Sequence, residues 1–550
     1  LTFKSCLVRL GTLVCWLVYL FLLAMAVIPL VSGGRNLPVV LALSALPFAS
    51  GVRNMVLFLA MAIPASLGTW MARTERCRRI GLCCLVLPLL ISFASCLQWH
   101  RLKRRMRSTS AEVEVDFSRT ESPASMMGFL HGVEDTEQMP DEWVKPLFAA
   151  PVSWRVRGYT EIVDRAHELG VEKPIVVVTD TWNGKAPALD WQAWEEHVRS
   201  VARQFGSDVI YDIINEPDMP FFWRPHNGHH FPSGWADLHE TFHRAHDVIR
   251  QELGAEALIS GPSFSLLWES EKRLYDFFRF CHENELIIQI LSVHVLYQPD
   301  ATLPLVSASL QKYRRDFIES GDYEGAGVKY IHVNEYGLPD DYTRPGTIVA
   351  TLRHLELGGA DAANRAIWPG RTEDIRNTVD GYLRLVMPES SNAPVVLSDV
   401  MFSYDEPRPV WWAYRYYASG VASRVHAHSS SAFLMPVASA ASDIPDQAQL
   451  IIGATASTER AAAQEIDLKL RHLEELSFID ANTDMVDIEV KRIVNDETSP
   501  LLSLPTVLRQ QVAISDGETE LRLPPLGDYE AYVVLIQGLE DIPQEEDPVE

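Results

Sequence analysis

Three patterns of apolar and polar positions succeed one another along the chain. The first is a set of long apolar runs: residues 7–32, then 37–52 (shorter, and holding Pro47), 55–71 and 80–99. A helix needs about 20 residues to cross a bilayer, which the first run exceeds, so residues 1–107 are expected to form transmembrane helices and a membrane anchor. The second pattern runs from 124 to about 425, where short apolar runs alternate with amphipathic stretches. Strands are expected at 126–130, 153–156, 175–179, 209–214, 257–260, 290–295, 330–334 and 360–368, with helical periodicity at 191–204, 235–252 and 271–284. The run Val209-Ile210-Tyr211-Asp212-Ile213-Ile214 is nearly continuous in apolar residues, as a strand buried on both faces requires. Eight such units over roughly 300 residues fit an α/β fold of the (β/α)8 TIM-barrel type better than a doubly wound sheet. The third pattern, 429–538, repeats short strand-like runs with turn residues between them and predicts a C-terminal antiparallel β-sandwich. Residues 108–122 are polar and read as a linker, 123–428 as the barrel, and 539–550 as an acidic tail.

Charge sharpens this division. Residues 1–107 carry thirteen Lys or Arg against Glu75 alone, a net of +12; with −25 for the whole chain, −37 is left for the remainder. An acidic body lacks the basic stripe that a phosphate backbone demands, so no nucleic acid is expected as a partner. Six of the seven cysteines (Cys6, Cys15, Cys77, Cys83, Cys84, Cys96) fall in the apolar part, leaving Cys281 alone in the body and excluding a disulfide there. Basic clusters flank the last apolar run on both sides, Arg73 to Arg79 before it and Arg101 to Arg107 after it. The positive-inside rule is therefore compatible with three spans and an external body or four spans and an internal one. The text from Met71 to Cys96 also resembles a bacterial lipoprotein signal, with Phe93-Ala94-Ser95-Cys96 as an imperfect lipobox. Every version tethers the body to a membrane, with the extracytoplasmic side favoured.

Chemistry is expected at the strand exits, where a barrel gathers its polar residues. The fourth strand leaves through Asn215-Glu216-Pro217-Asp218 and the seventh through Asn334-Glu335-Tyr336-Gly337. Two facing carboxylates, one protonated and one ionised, are what cleavage of a glycosidic bond requires. Each Glu could instead be a helix N-terminal acid that stabilises the macrodipole.

With these residues the chain resembles clan A of the retaining glycoside hydrolases, most closely family 39 and its relatives. Gly128-Phe129-Leu130-His131-Gly132, Trp154-Arg155, His294, Trp368 and the segment 407–425 add to the resemblance, which covers about residues 124–537. It implies Glu216 as general acid and base and Glu335 as nucleophile. It also implies that Asn215 bonds the sugar 2-hydroxyl and that Arg155, with His294 or Tyr297, holds Glu335. His131, Trp182, Trp223, Tyr336 and Trp368 complete the expected substrate contacts. No cofactor is implied, and the expected partner is a carbohydrate. Two departures stand out: His294-Val295-Leu296-Tyr297 is one residue longer than the expected His-x-Tyr, and 369–406 has no counterpart.

A competing signal is His239-Glu240-Thr241-Phe242-His243, which matches the H-E-x-x-H zinc-peptidase pattern. Arg244 follows where such helices are apolar, no third ligand follows, and the barrel would place this helix on its outer ring. A polar helix face is the plainer reading. The histidines of His226-Asn227-Gly228-His229-His230 fit a sugar-contacting or solvated loop. A non-catalytic glycan-binding or scaffold protein on a barrel is the alternative to an enzyme.

Overall fold

The computed structural model describes residues 110–538 except 131–132, 183–186, 219–234, 266, 269, 297, 299, 338–340, 367–400, 404, 456–463, 481–482 and 497–498. The transmembrane helices expected over 1–107, the acidic tail 539–550, and His131, Trp223, Tyr297 and Trp368 lie outside the described residues. Among the described residues no helix is long and apolar enough to cross a membrane.

The chain enters through β1 (Ser110–Thr120), which belongs to a second sheet described below. Eight strands then close a barrel: β2 (Gly128–Leu130), β3 (Ser153–Arg157), β4 (Ile175–Val177), β5 (Ile210–Asp212), β6 (Leu258–Phe264), β7 (Ile290–Leu296), β8 (Tyr330–Gly337) and β9 (Ala362–Arg365). Every neighbouring pair is parallel, and Phe129 opposite Arg365 completes the ring. Helices α1 (Thr160–Glu168), α2 (Trp191–Phe205), α3 (Trp235–Leu253), α4 (Glu271–Glu283), α5 (Leu303–Arg314), α6 (Pro345–Gly358) and α7 (Pro409–Gly420) supply the outer layer. The strand-helix alternation read from the sequence is thus a closed barrel.

Local chemistry explains the elements. In α2 the Asp190 side chain accepts from the Ala193 N–H at 3.0 Å, satisfying a donor that the helix start leaves open. Trp194, Val198, Val201, Ala202 and Phe205 then form the buried stripe at helical spacing, and Gly206 ends the helix with φ 59°. Alternation along the strands sorts side chains between the barrel interior and the layer beneath the helices. Tyr211, Leu291, Ile331 and Val333 join the large core between strands and helices. Ile175, Ile210 and Ile290, with Leu258 beside them, form a separate apolar cluster in the barrel interior near the strand starts.

The second sheet has nine strands. A short hairpin, β10 (Met401–Ser403) and β11 (Glu406–Pro407), precedes α7. Beyond α7 come β12 (Arg424–Ser429), β13 (Leu434–Ser439), β14 (Gln447–Ala454), β15 (Gln464–Arg471), β16 (Met485–Ile493), β17 (Thr506–Ala513), β18 (Thr519–Leu526) and β19 (Ala531–Gly538). Their order is β17-β16-β19-β14-β13-β12-β1-β15-β18. Two expectations are corrected here. The presumed linker contains β1, which sits inside the sheet, antiparallel to β12 and parallel to β15. The sheet is consequently mixed rather than antiparallel. Ala111, Val113, Val115 and Phe117 alternate with Glu112, Glu114 and Asp116, and the four apolar residues are buried in the core of this sheet.

Barrel and sheet lie in one compact unit, Thr109–Glu550. Helix α6 is buried almost all round because it packs on β13, β14 and α7 at once. Gly346 permits the approach: a Cβ there would stand 2.2 Å from the Ala454 carbonyl oxygen. Arg353 bonds Glu121 and Glu356, and Arg424 bonds Glu356, pairing charges that would be costly to bury alone.

Candidate active site

The site is built at the C-terminal ends of β3, β5, β7 and β8. On β8 the register slips: Val333 faces Val293 and Glu335 faces His294, so Asn334 is an extra residue. A bulge of this kind re-aims side chains. Both Asn334 and Glu335 consequently reach inward, Asn334 to Asp212 and Glu335 to Arg155. Tyr336 resumes the alternation and turns outward, where it is fully buried and shares a hydrogen bond with Tyr414 of α7 at 3.1 Å. Expected at the sugar, Tyr336 instead packs between barrel and helix.

Glu216 lies four residues past the last strand position that Asp212 occupies. Its backbone is left-handed, with φ 45°, uncommon for a residue with a side chain, and its N–H donates to the Ser263 carbonyl at 3.1 Å. The two carboxylates converge. One oxygen of Glu216, one of Glu335 and a nitrogen of His294 all lie within 4.8 Å of one another. His294 Nδ1 shares a hydrogen bond with Glu216 Oε1 at 3.2 Å and stands 3.9 Å from Glu335 Oε2.

Arg155 sits beneath them, only 1% exposed. Its Nη1 donates to Glu335 Oε1 at 2.6 Å and its Nη2 to Asn215 Oδ1 at 2.8 Å. Its Nε and Nη2 lie 2.9 and 2.7 Å from Asp212 Oδ2. A guanidinium only donates, so the Asn215 amide must turn its oxygen toward Arg155 and its NH2 group away. Asp212, wholly buried, also accepts from Ser263 Oγ at 2.8 Å and Asn334 Nδ2 at 3.0 Å.

These surroundings treat the two acids differently. Burial pushes the Glu216 carboxyl up to about 8, helped by the negative charge of Asp218 and opposed by Arg155. Asp218 is itself held by Ser265 N–H, Ser265 Oγ and Ser270 Oγ. Burial also raises Glu335, but His294 and the directly bonded Arg155 pull against it. Burial lowers His294, opposed by the nearby Glu335 and Asp212. The arrangement therefore sets Glu216, a carboxyl that burial favours in its protonated form, opposite Glu335, whose Oε1 is seated on the Arg155 guanidinium.

The structure brings together Glu216, Glu335, Asn215, Arg155 and His294 from the sequence reading. Arg155 and His294 lie under the carboxylates rather than alongside a sugar, and the hydrogen bond of His294 goes to Glu216, not to Glu335. Trp182 is half-buried and packs on Trp194 at 5.4 Å and His197 at 5.2 Å, ordinary core contacts. Asp212 and Ser263 were missed. Asp212 could have been found as the one charged residue within the apolar run 209–214; Ser263 carried no such signal.

Glu216, His294 and Glu335 are also the only trio of His, Cys, Asp or Glu close enough to share a cation among the described residues. The Arg155 guanidinium, already seated on Glu335, would repel a metal ion there. The H-E-x-x-H residues are engaged elsewhere: His239 stacks on Phe280 at 4.4 Å, Glu240 pairs with Arg244, and His243 lies 3.6 Å from Asp247. Helix α3 is an outer helix, and the peptidase reading is set aside.

No protein-family model matches the chain, and no curated protein matches it. Solved structures do share its architecture. N2152 from Neocallimastix frontalis aligns with a TM-score of 0.59 at 18% identity, over 78% of this chain and 100% of its own. A glucosidase from Croceicoccus marinus aligns at 0.55 and 11% identity, over 78% and 100%. A GH39 enzyme from Xanthomonas axonopodis pv. citri aligns at 0.51 and 11% identity, over 79% and 99%. At these identities the likeness is one of fold, a barrel joined to a second sheet.

Proposed function

We propose that the chain is a glycoside hydrolase that cleaves O-glycosidic bonds of poly- or oligosaccharides by double displacement, with retention at the anomeric carbon. The observation that carries this reading is a pair of buried carboxylates, with oxygens within 4.8 Å, at the ends of two barrel strands, only one of them bonded to Arg155. Retaining enzymes keep their two carboxyl groups about 5–5.5 Å apart, whereas inverting ones leave room for a water between them. The glucosidase and GH39 names among the structures of like fold support a carbohydrate substrate.

In this scheme Glu335 Oε1 is occupied by Arg155, so Oε2 attacks the anomeric carbon while the bond to the leaving oxygen breaks. Glu216 transfers its proton to that oxygen, becoming a carboxylate. It then takes a proton from water as the hydroxyl oxygen displaces Glu335 from the sugar. The NH2 group of Asn215 is turned away from Arg155 and donates to the sugar 2-hydroxyl oxygen. The proposal includes a membrane tether through residues 7–32 and the later apolar runs, with the barrel on the extracytoplasmic side.

The test is a screen of aryl glycosides and cell-envelope glycans with the full chain, followed by proton NMR of the first-formed sugar. Release of the same anomer as the substrate is expected, together with labelling of Glu335 by an activated 2-deoxy-2-fluoro glycoside. The opposite anomer, or no turnover of any glycoside, overturns the reading.

A further inference from the structure

We infer that Asp212 is a positioning residue for Glu335: by occupying two N–H groups of Arg155, it keeps the guanidinium from seizing both oxygens of that carboxylate. The inference rests on the glycosidase reading for its purpose and on the buried network for its substance.

A free guanidinium meets a carboxylate preferentially as a fork, with two parallel N–H···O bonds. Such a pairing would tie up Oε1 and Oε2 of Glu335 together and leave no lone pair well placed for attack. Here the fork is turned aside. Nε and Nη2 both lie against Asp212 Oδ2, Nη2 also serves Asn215, and only Nη1 reaches Glu335. Asp212 cannot swing away, because Ser263 Oγ holds its Oδ1 and Asn334 Nδ2 its Oδ2. Ser263 is in turn fixed by Ser292: its N–H donates to Ser292 Oγ at 3.1 Å, and the two hydroxyls are 2.7 Å apart. The chain of contacts crosses four strands before it reaches the reacting oxygen.

Charge acts in the same direction as geometry. Arg155 and Asp212 form a buried pair of zero net charge, so Glu335 is oriented by a cation already largely compensated. A carboxylate beside an uncompensated buried guanidinium would be a weaker base and a weaker nucleophile. The charged groups that act on Glu335 are Arg155 from β3, Asp180 after β4, Glu216 past the end of β5 and His294 from β7, while Asp212 of β5 acts on Arg155. Ser263 of β6 carries no charge, and Arg365 of β9 is engaged by the Tyr336 carbonyl and by Asp341. Asp212 touches Arg155 through two nitrogens and is sealed from solvent.

The experiment compares wild type with Asp212→Asn and Asp212→Glu, each checked for folding by its melting curve. Loss of the negative charge should lower the proton affinity of Glu335 about tenfold, moving the acid limb of the kcat/KM profile about one pH unit lower. At the optimum kcat should fall at least tenfold, because the released fork now covers Oε2. Asp212→Glu keeps the charge, so its acid limb should stay at the wild-type pH whatever happens to kcat. An unmoved limb in a folded Asp212→Asn, or a limb displaced in Asp212→Glu, overturns the inference. If no glycoside is turned over, the carbon-13 carboxyl resonance of Glu335, identified by its loss in Glu335→Gln, reads the same shift. That separates failure of this inference from failure of the glycosidase reading. Should Asp212→Asn not fold, Asp212→Glu and the wild-type titration still decide it.

Discussion

The two ends of the barrel interior are built by opposite rules. Near the strand starts, Ile175, Ile210 and Ile290 fill the space with aliphatic side chains. Two residues further along two of these strands, the inward positions turn polar: Asp212 follows Ile210, and Ser292 and then His294 follow Ile290, while Ile175 is followed by Val177. His332, also inward and buried, has its imidazole pulled down to about 4 by burial. The floor gains stability by removing apolar surface from water, roughly 25 cal/mol per Å2. The mouth instead buries charges and strained backbone, which stabilise nothing unless each is paired. The pairing at the mouth is uneven: Arg155 is bonded to Asp212 and Glu335, whereas His294 Nε2, His332 Nδ1 and Asn334 Oδ1 are buried without a hydrogen-bond partner. One interior therefore separates stability from chemistry along the strand axis, within a few residues.

The sharpest way to break the comparison is at Glu335. Glu335→Gln keeps the shape and leaves Arg155 paired with Asp212, so the barrel should fold with an unchanged melting temperature. Turnover should fall by on the order of a thousandfold or more, as loss of a covalent nucleophile demands. Steady-state rates on the best aryl glycoside decide this. Retained activity would place the chemistry elsewhere.

Glu216 sharpens it further, because here function and stability oppose one another. The acid must carry its proton, so kcat/KM should decline as pH rises through about 8, the value to which burial pushes this carboxyl. A group whose pKa is raised on folding contributes stability that is fully present below its unfolded value, near 4.5, and is lost as pH rises through its folded value. Wild type should consequently lose stability between those limits. Glu216→Gln has no charge to bury and should melt a few degrees higher than wild type at pH 9 while hydrolysing poorly. Melting curves at pH 5 and pH 9 read the difference; equal shifts at both would mean that Glu216 is not buried in its ionised form.

Much of this was legible from the sequence, for a physical reason. Barrel strands buried on both faces announce themselves as apolar runs, and a Glu directly after such a run must sit at its exit. The Asn-Glu pairs therefore mark two strand exits, whose carboxylates the barrel brings within 4.8 Å of each other. What stayed hidden depends on register rather than composition. Tyr336 adjoins Glu335 in the chain but faces the opposite way, because the bulge at Asn334 ends the inward pair there. Asp212 looked like an interruption in an apolar strand, although it anchors Arg155. The error over 108–122 was of another kind. Its acidic residues suggested a solvated linker, yet strict alternation of Ala111, Val113, Val115 and Phe117 with acids is the period of a half-buried strand.

The floor provides the converse test. Ile175→Ala removes three methyl or methylene carbons from a fully buried position and should cost about 2–4 kcal/mol, read from urea melts. The activity of the molecules that remain folded should be unchanged, since Ile175, although opposite Arg155 in the β3–β4 ladder, offers it no hydrogen bond or charge. A change in the pH profile of Ile175→Ala would show that packing at the floor reaches the mouth and would undo the separation.

The smallest effect is expected on α3, where the H-E-x-x-H letters suggest a metal and the fold does not. His243 is partly exposed on the outer helix, near Asp247 and against the edge of Phe280. An exposed histidine-carboxylate pair of this kind contributes no more than about 0.5 kcal/mol. His243→Ala should therefore change the melting temperature by a degree or so and leave hydrolysis unaffected, and a chelator should change neither. Chelator-sensitive activity abolished by His243→Ala would move the chemistry from the barrel mouth to its outer wall. The contrast between floor and mouth would then say nothing about function, because the carboxylate pair would be only a buried polar cluster held together by Arg155.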